Sequence, residues 1–208
     1  MIRSNVILLG VAWCVFGVPA QAAEPPKVIA VGEWSKPVAD NRGRALRGRL
    51  LLCEKSYGDE RRHVAVYVEL QDAAEAIGDS MRLYCEMAKH DFRPEYKGGL
   101  DCELRDKNNQ PVKTTPFPFG GAVPKSEWVT LPADATMRLR ASPFGISRVK
   151  AKAICPHLGK LWVIADDDPN EYFLSGTFTI NPPADAAATN NEHVWRGTIE
   201  LPAMRIGK

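Results

Sequence analysis

The sequence predicts an all-β protein, specifically an antiparallel immunoglobulin-like β-sandwich of about nine strands with little helix. Apolar and polar residues alternate with a period of two in seven separate segments, which is typical of strands buried on one face. Short runs of turn-forming residues separate these segments. Because helical patterns are scarce between them, we expect short antiparallel connections rather than helical crossovers.

Two shorter apolar segments bring the expected number of strands to about nine. The predicted segments are 50–53, 64–70, 81–85, 100–104, 128–131, 137–141, 149–153, 174–180 and 195–201. The sequence Asp72-Ala73-Ala74-Glu75 is a capping box and predicts one short helix that ends near Gly78. The run from Asp106 to Asn109 predicts a turn in which Asn supplies a positive backbone angle.

The N-terminal region has the pattern of a secretory signal peptide. Arg3 precedes an uncharged run from Val6 to Val18, and Ala20-Gln21-Ala22 supplies the small residues of a cleavage site. The apolar run, roughly 13 residues, is short for a membrane span of about 20. We therefore expect residues 1–22 to be a signal peptide, 23–42 a tether or edge strand, and 43–208 the sandwich domain. The mature chain is expected to be secreted or periplasmic, without a transmembrane segment.

Charge gives little indication of a partner. The chain has 27 basic and 25 acidic residues, and the predicted signal contains one base, Arg3, and no acid. The mature chain would therefore carry 26 bases against 25 acids, which excludes a general attraction to nucleic acid or to an anionic membrane. We expect no nucleic-acid partner.

Four of the five cysteines follow the predicted signal, and an even number in an exported chain predicts two disulfides. Cys85 and Cys102 lie on neighbouring inward faces of predicted strands, so the favoured pairing is Cys85 with Cys102 and Cys53 with Cys155. The two other pairings and free buried thiols stay open. A zinc site would need Cys-x-x-Cys pairs, which the spacing does not provide. Cys53 is out of phase with its apolar neighbours and predicts either a bulge or an outward side chain.

Sequence motifs for catalysis are missing. The chain has no Gly-x-Ser-x-Gly motif, and its four histidines have no histidine partner at metal-ligand spacing. We therefore expect no enzyme activity, no catalytic residue and no cofactor. One enzymatic alternative is a hydrolase whose site is assembled from loop residues such as His90, His157 and Asp166.

A segment without acids, 136–165, contains the best candidate for anion binding. If its two predicted strands pair, their outer faces form one basic surface that suits an anionic polymer. Its candidate residues are Arg138, Arg140, Arg148, Lys150 and Lys152. The other interpretation is that exposed basic strands discourage edge-to-edge aggregation.

Three weaker candidates complete the set. Phe117 and Phe119 lie on a proline-rich loop and predict either a partner contact or a cap over the sandwich. Four tryptophans suggest either sugar stacking or core packing, namely Trp34, Trp128, Trp162 and Trp195. An acidic run suggests calcium or a plain solvated turn, and its residues are Asp166, Asp167, Asp168 and Glu171.

Several strand-and-turn sequences resemble an uncharacterised group of exported bacterial β-sandwich proteins. They are Val68-Glu69-Leu70-Gln71-Asp72, Cys102-Glu103-Leu104-Arg105-Asp106, residues 131–140, residues 172–178 and Trp195-Arg196-Gly197 before Leu201-Pro202. The late strand followed by Trp-x-Gly is also similar to small bacterial β-sandwich proteinase-inhibitor domains. Neither resemblance implies a catalytic residue.

The sequence thus predicts a non-enzymatic exported β-sandwich that acts as a binding or accessory module of the cell envelope, with an unidentified protein or envelope polymer as its partner. The first alternative is a module that binds an anionic polymer, either polysaccharide or cell-wall polyanion. The second is a secreted hydrolase or a domain similar to a proteinase inhibitor.

Overall fold

The structure is a computed structural model that describes residues 26–56, 62–73, 80–90, 93–97, 99–116, 125–141, 145–147, 151–157, 160–165, 167–182 and 193–206. These ranges contain sixteen strands and no helix. The strands are β1 Lys27–Val31, β2 Val38–Ala39, β3 Ala45–Ser56, β4 Arg62–Asp72, β5 Met81–His90, β6 Arg93–Lys97, β7 Gly99–Asp106, β8 Thr115–Pro116, β9 Lys125–Leu131, β10 Thr136–Arg140, β11 Gly145–Ser147, β12 Ala151–His157, β13 Lys160–Ala165, β14 Tyr172–Ile180, β15 His193–Val194 and β16 Gly197–Ile206.

The largest sheet has the strand order β1-β3-β4-β10, with β2 pairing with β3 and β11 pairing with β4. The long strands β3 and β4 are antiparallel from Leu46 opposite Asp72 to Ser56 opposite Arg62, without a register shift. Strands β10 and β11 lie one after the other along the second edge of β4. This central sheet therefore has a regular grid of side chains on each face.

Three smaller sheets complete the described fold. Strand β14 lies between β7 and β16, and β13 lies between β12 and β8. Strand β5 pairs with β9, β6 and β15. All pairings are antiparallel except that of β15 with β5, which is parallel. The predicted all-β class with antiparallel sheets is confirmed.

One cluster of buried side chains takes residues from all four sheets. The central sheet contributes alternate residues such as Leu50 and Val66, and β14 contributes Phe178. Gly48 marks a close approach of two sheets, because a Cβ atom added there would lie 3.0 Å from Cδ2 of Leu201 on β16. Since the even-numbered residues of β3 face this core, its odd-numbered residues lie on the opposite face.

The number of strands was underestimated, although each of the nine predicted segments contains a strand. Strands of two or three residues, such as β2 and β11, are too short for alternation to reveal them. The predicted strand 195–201 is displaced, since β16 begins two residues later, at Gly197, and continues to Ile206. Asp72 is the last residue of β4, and the rest of the predicted helix, 74–79, lies outside the described residues.

The predicted turn after β7 is confirmed. Asn109 has a positive φ of 62°, and its backbone N–H donates to the carbonyl oxygen of Asp106 over 2.9 Å. One carboxylate oxygen of Asp106 accepts hydrogen bonds from the backbone of Asn108 and of Gln110. Side-chain acceptance of this kind is why Asp begins many turns.

Candidate functional site

The candidate site is the face of the central sheet that points away from the core. The polar side chains of this face lie at one end of the sheet, at alternate positions of β3, β4 and β10, whereas Leu51, Cys53 and Ala65 on the same face are buried. We call this surface the arginine face. It consists of Arg47, Arg49, Glu69, Gln71 and Arg138, with Trp34 packed on it.

Register places one carboxylate between two guanidinium groups. Glu69 on β4 is opposite Arg49 on β3 and opposite Arg138 on β10. Its Oε2 accepts from Nε of Arg49 at 2.6 Å, and its Oε1 accepts from Nε of Arg138 at 2.7 Å. Both carboxylate oxygens are thus hydrogen-bonded to opposite charges, which is the condition under which a buried carboxylate is tolerated.

Exposure differs strongly among these three residues. The Glu69 side chain is 4% exposed, whereas the side chains of Arg49 and Arg138 are 26% and 50% exposed. Burial raises the pKa of Glu69, but hydrogen bonds and charge from Arg138 and Arg49 lower that pKa more, so it lies below its ordinary value. Glu69 is therefore ionised at neutral pH and holds two solvent-facing guanidinium groups in position.

A second row of the grid repeats this arrangement with a neutral acceptor. Arg47 is opposite Gln71, and its Nε and Nη2 donate to Oε1 of Gln71 at 2.8 Å and 2.6 Å. Beyond it, Arg44 donates through Nη2 to Asp72 at 2.5 Å. These contacts hold Arg44, Arg47 and Arg49 in position at the Leu46 end of the β3–β4 ladder.

Trp34 adds an aromatic surface to this face. The guanidinium carbon of Arg49 lies 4.4 Å from the centroid of the Trp34 ring, and that of Arg47 lies 5.0 Å from it. Both distances are within the range of cation–π attraction. Trp34 is half-buried, and the contact of its ring with both guanidinium groups restricts the two arginines.

The structure divides the four tryptophans into two classes. Trp195 and Trp162 are buried, and their indole N–H groups donate to the carbonyl oxygens of Arg44 and Val112. Trp34 and Trp128 are half-buried at the surface. The sugar-stacking interpretation therefore applies only to these two.

Trp128 lies in a second aromatic contact, on β9. Its ring centroid is 5.0 Å from that of Tyr84 on β5, at an interplanar angle of 59°. The guanidinium carbon of Arg82 lies 4.5 Å from the centroid of the Trp128 ring. This contact of Trp128 with Tyr84 and Arg82 includes one arginine, whereas the arginine face includes three.

Among the described residues, the two strands of the predicted basic surface do not pair with each other, so the premise of that prediction does not hold there. Strand β10 pairs with β4, and β12 pairs with β13. Arg138 belongs to the arginine face, and Arg140 is buried at 8% exposure. Arg148 and Lys150 lie outside the described residues, as does the side chain of Lys152 on β12.

Sequence reasoning missed most of the arginine face. It identified Arg138 but not Arg47, Arg49 or the acceptors Glu69 and Gln71. The available signal was the alternation of Arg47 and Arg49 just before the predicted strand 50–53, and of polar acceptors on the predicted strand 64–70 and just after it. Only the register of the β3–β4 pair shows that these side chains meet.

The acidic run forms an ordered turn in its described part. Oδ1 of Asp168 accepts from the backbone and the side chain of Asn170, and Oδ2 accepts from the Tyr172 hydroxyl at 2.7 Å. Glu171 forms an ion pair with Arg205. Among the described residues, which exclude Asp166 and include an exposed Asp167, no group of three or more acids, cysteines or histidines is arranged to hold a metal.

Other candidates fall outside the described part of the chain. Phe117, Phe119 and Asp166 are not described, and the strands that contain His90 and His157 are described without those side chains. The contact between the histidines and Asp166 that a hydrolase requires stays a prediction. So does the partner loop of the two phenylalanines.

The four cysteines that follow the predicted signal lie in four different strands. Cys53 on β3 and Cys102 on β7 are buried, and the Cys53 thiol is free in the structure. The ladder between β3 and β4 has no bulge at Cys53, so its side chain points away from the core, on the same side as the arginine face. The side chains of Cys85 and Cys155 are not described, so both predicted disulfides stay predictions.

If Cys53 is free in the mature protein, it is expected to react slowly with thiol reagents. Burial raises the pKa of its thiol to about 11, an effect that Arg138 opposes and Glu69 reinforces. Since only the thiolate reacts, alkylation at pH 8 should be at least about 100-fold slower than in guanidinium chloride. Mass spectrometry after timed alkylation without reductant measures this. The absence of labelling in denaturant would show instead that Cys53 is in a disulfide.

Comparison with known proteins adds no family. No protein-family model, curated protein or solved structure matches this chain. Within the residues that the structure describes, no helix is long and apolar enough to cross a membrane. The geometry of the arginine face is therefore the basis on which a function can be inferred.

Proposed function

We propose that this chain is an exported, non-enzymatic β-domain that acts as a binding or accessory module at the cell envelope. The observation that carries the proposal is the arginine face, where guanidinium groups are ordered before any ligand arrives. Binding surfaces whose side chains are fixed in advance lose less entropy when a partner binds. The signal-peptide pattern around Arg3 and Ala20-Gln21-Ala22 supports export.

The architecture that we propose is the immunoglobulin-like β-sandwich. Its support is the packing of the central sheet on β16, which is closest at Gly48 and Leu201. The core residues of β3, β4, β14 and β16 face one another in a single cluster, as expected for two stacked sheets. An experimental structure with the two sheets side by side in one layer would contradict this.

The test begins with export of the full-length chain from a bacterial host. We expect the periplasmic form to have lost residues 1–22 or 1–23 by intact mass. We also expect the exported form to sediment with purified envelope in a saturable way, and to show no turnover on panels of esters, glycosides and peptides.

The matched variants are Arg138→Ser on the arginine face and Arg205→Ser on β16. Both arginines are ion-paired and about half exposed, at 50% and 55% of the side chain. Arg138→Ser should reduce sedimentation, and Arg205→Ser should not. A chain that stays uncleaved in the cytoplasm, or a hydrolytic activity that a point mutation abolishes, would overturn the proposed function.

A further inference from the structure

The arginine face presents positive charge in a regular pattern. Arg47 and Arg49 are two residues apart on β3, which separates their Cα atoms by about 7 Å. Arg49 and Arg138 flank the same residue of β4, which separates their Cα atoms by two strand spacings, about 9.5 Å. A ligand that satisfies all three must carry several negative groups over roughly 10 Å.

The charge of this surface is not neutralised internally. Its three arginines are opposed by one carboxylate, Glu69, because the acceptor for Arg47 is the neutral side chain of Gln71. The local net charge is therefore +2, whereas the predicted mature chain has a net charge near +1. An anion is attracted to this face rather than to the molecule in general.

The guanidinium of Arg138 keeps donors for a ligand. In the described part of the chain, the hydrogen bond of Arg138 is the one from Nε to Glu69, and half of its side chain is exposed. Its two Nη groups are therefore available to an incoming carboxylate, which guanidinium groups bind in a bidentate manner. Glu69 acts as a positioning residue for this interaction.

The indole of Trp34 decides which class of polyanion fits. The guanidinium groups of Arg47 and Arg49 lie over its ring, so a ligand would pack on the part of the indole that these two arginines leave uncovered. A sugar ring can pack its C–H groups on such a surface while its carboxylate reaches an arginine. Single-stranded nucleic acid is held by a series of aromatic side chains under successive bases, and this face has only one among the described residues.

We propose that the arginine face binds an anionic polysaccharide of the uronic-acid type, with carboxylates on Arg49 and Arg138 and a sugar ring on Trp34. This inference names a ligand for the proposed binding module. It rests on the proposed function, because the chain must be exported to encounter a polysaccharide of the cell envelope. Sugar–aromatic packing and carboxylate–arginine pairing then act together on one flat, ordered surface.

The experiment measures affinity of the exported protein for polygalacturonate by titration calorimetry. Neutral dextran and single-stranded DNA are the comparison polymers. Polygalacturonate should bind more tightly than DNA, and dextran should not bind. The affinity should fall as salt rises, because the contacts are ionic.

Variants locate the site. Arg49→Ser and Arg138→Ser should each weaken polygalacturonate binding about tenfold, as expected for loss of a charged hydrogen-bond donor. Trp34→Ala should weaken polygalacturonate binding too. Arg47→Ser removes one of the three positive charges that the ligand satisfies and leaves both ion pairs of Glu69 in place, so it should weaken binding without disturbing the contacts of Glu69. Arg205→Ser, on β16, is the matched control and should bind as the unaltered protein does.

The inference is overturned if Arg47→Ser and Arg138→Ser both bind like the unaltered protein, or if Arg205→Ser weakens binding equally. Tighter binding to DNA than to polygalacturonate, or equal binding to dextran, would overturn the ligand class. If Arg138→Ser sediments with envelope as the unaltered protein does, this inference is contradicted, but the proposal that the chain is exported is not affected. Failure of export would contradict the proposed function, while the titration would still test the face.

Discussion

Replacing Trp195 by Ala is expected to lower the free energy of unfolding by about 3–5 kcal/mol, the range for removing a large buried aromatic side chain. The side chain is fully buried at 0% exposure. Its indole N–H donates to the carbonyl oxygen of Arg44 at 3.2 Å, and its ring lies against Gly197. The substitution removes these contacts and leaves a cavity that the surrounding strands can fill only in part.

Urea unfolding followed by circular dichroism measures the loss. Trp128→Ala is the control, because Trp128 is half-buried on β9 and contacts Tyr84 and Arg82 at the surface. Trp128→Ala is expected to lower the free energy of unfolding clearly less than Trp195→Ala does. Equal losses for the two variants would show that Trp195 does not occupy the core position described here.

Trp195 also shows what alternation predicts and what it does not. Its apolar character and its phase with Ile199 correctly indicated a buried side chain. The strand, however, begins at Gly197, a position where the indole ring lies so close that a Cβ would collide with it. Alternation records which way side chains point, whereas strand ends depend on contacts between residues of different elements.

For the candidate site too, the sequence indicated which way side chains point but not which side chains of other strands they contact. The sequence correctly predicted that Val64, Val66, Val68 and Leu70 lie on the core side of one strand. It also placed Glu69 on the other side. It did not indicate that Glu69 is nearly buried, because that burial comes from arginines on both neighbouring strands. Pairing of β10 with β4 joins residues 69 positions apart, and no local pattern specifies such a partner.

The error in the predicted basic surface has a physical cause. Basic residues at alternate positions of two segments predict two outward faces, but not that these faces adjoin. In the structure β10 joins the central sheet, where its Arg138 meets a carboxylate, and β12 joins β13. Arg138 therefore lies near Arg47 and Arg49 of β3, which are distant from it in sequence.

Glu69→Gln is expected to destabilise the fold by about 1–3 kcal/mol at pH 7, because the amide cannot accept charged hydrogen bonds from two arginines as a carboxylate does. The estimate stays below that for a deeply buried triad, since Arg49 and Arg138 remain partly solvated. The folded-state pKa of Glu69 lies below its ordinary value. Its contribution is therefore fully present above the unfolded pKa of about 4.3 and is lost as pH falls through the folded pKa.

The measurement is urea unfolding of both proteins between pH 3 and pH 7. The stability difference should be constant from pH 7 to about pH 5 and should shrink below about pH 4, because protonation makes the carboxyl group of the unaltered protein neutral too. Glu103→Gln is the control, since Glu103 is exposed, pairs with Arg105, and likewise has a lowered pKa. Its stability should change little at any pH. A Glu69→Gln difference that persists undiminished at pH 3 would mean that the charge of Glu69 does not hold β3, β4 and β10 together.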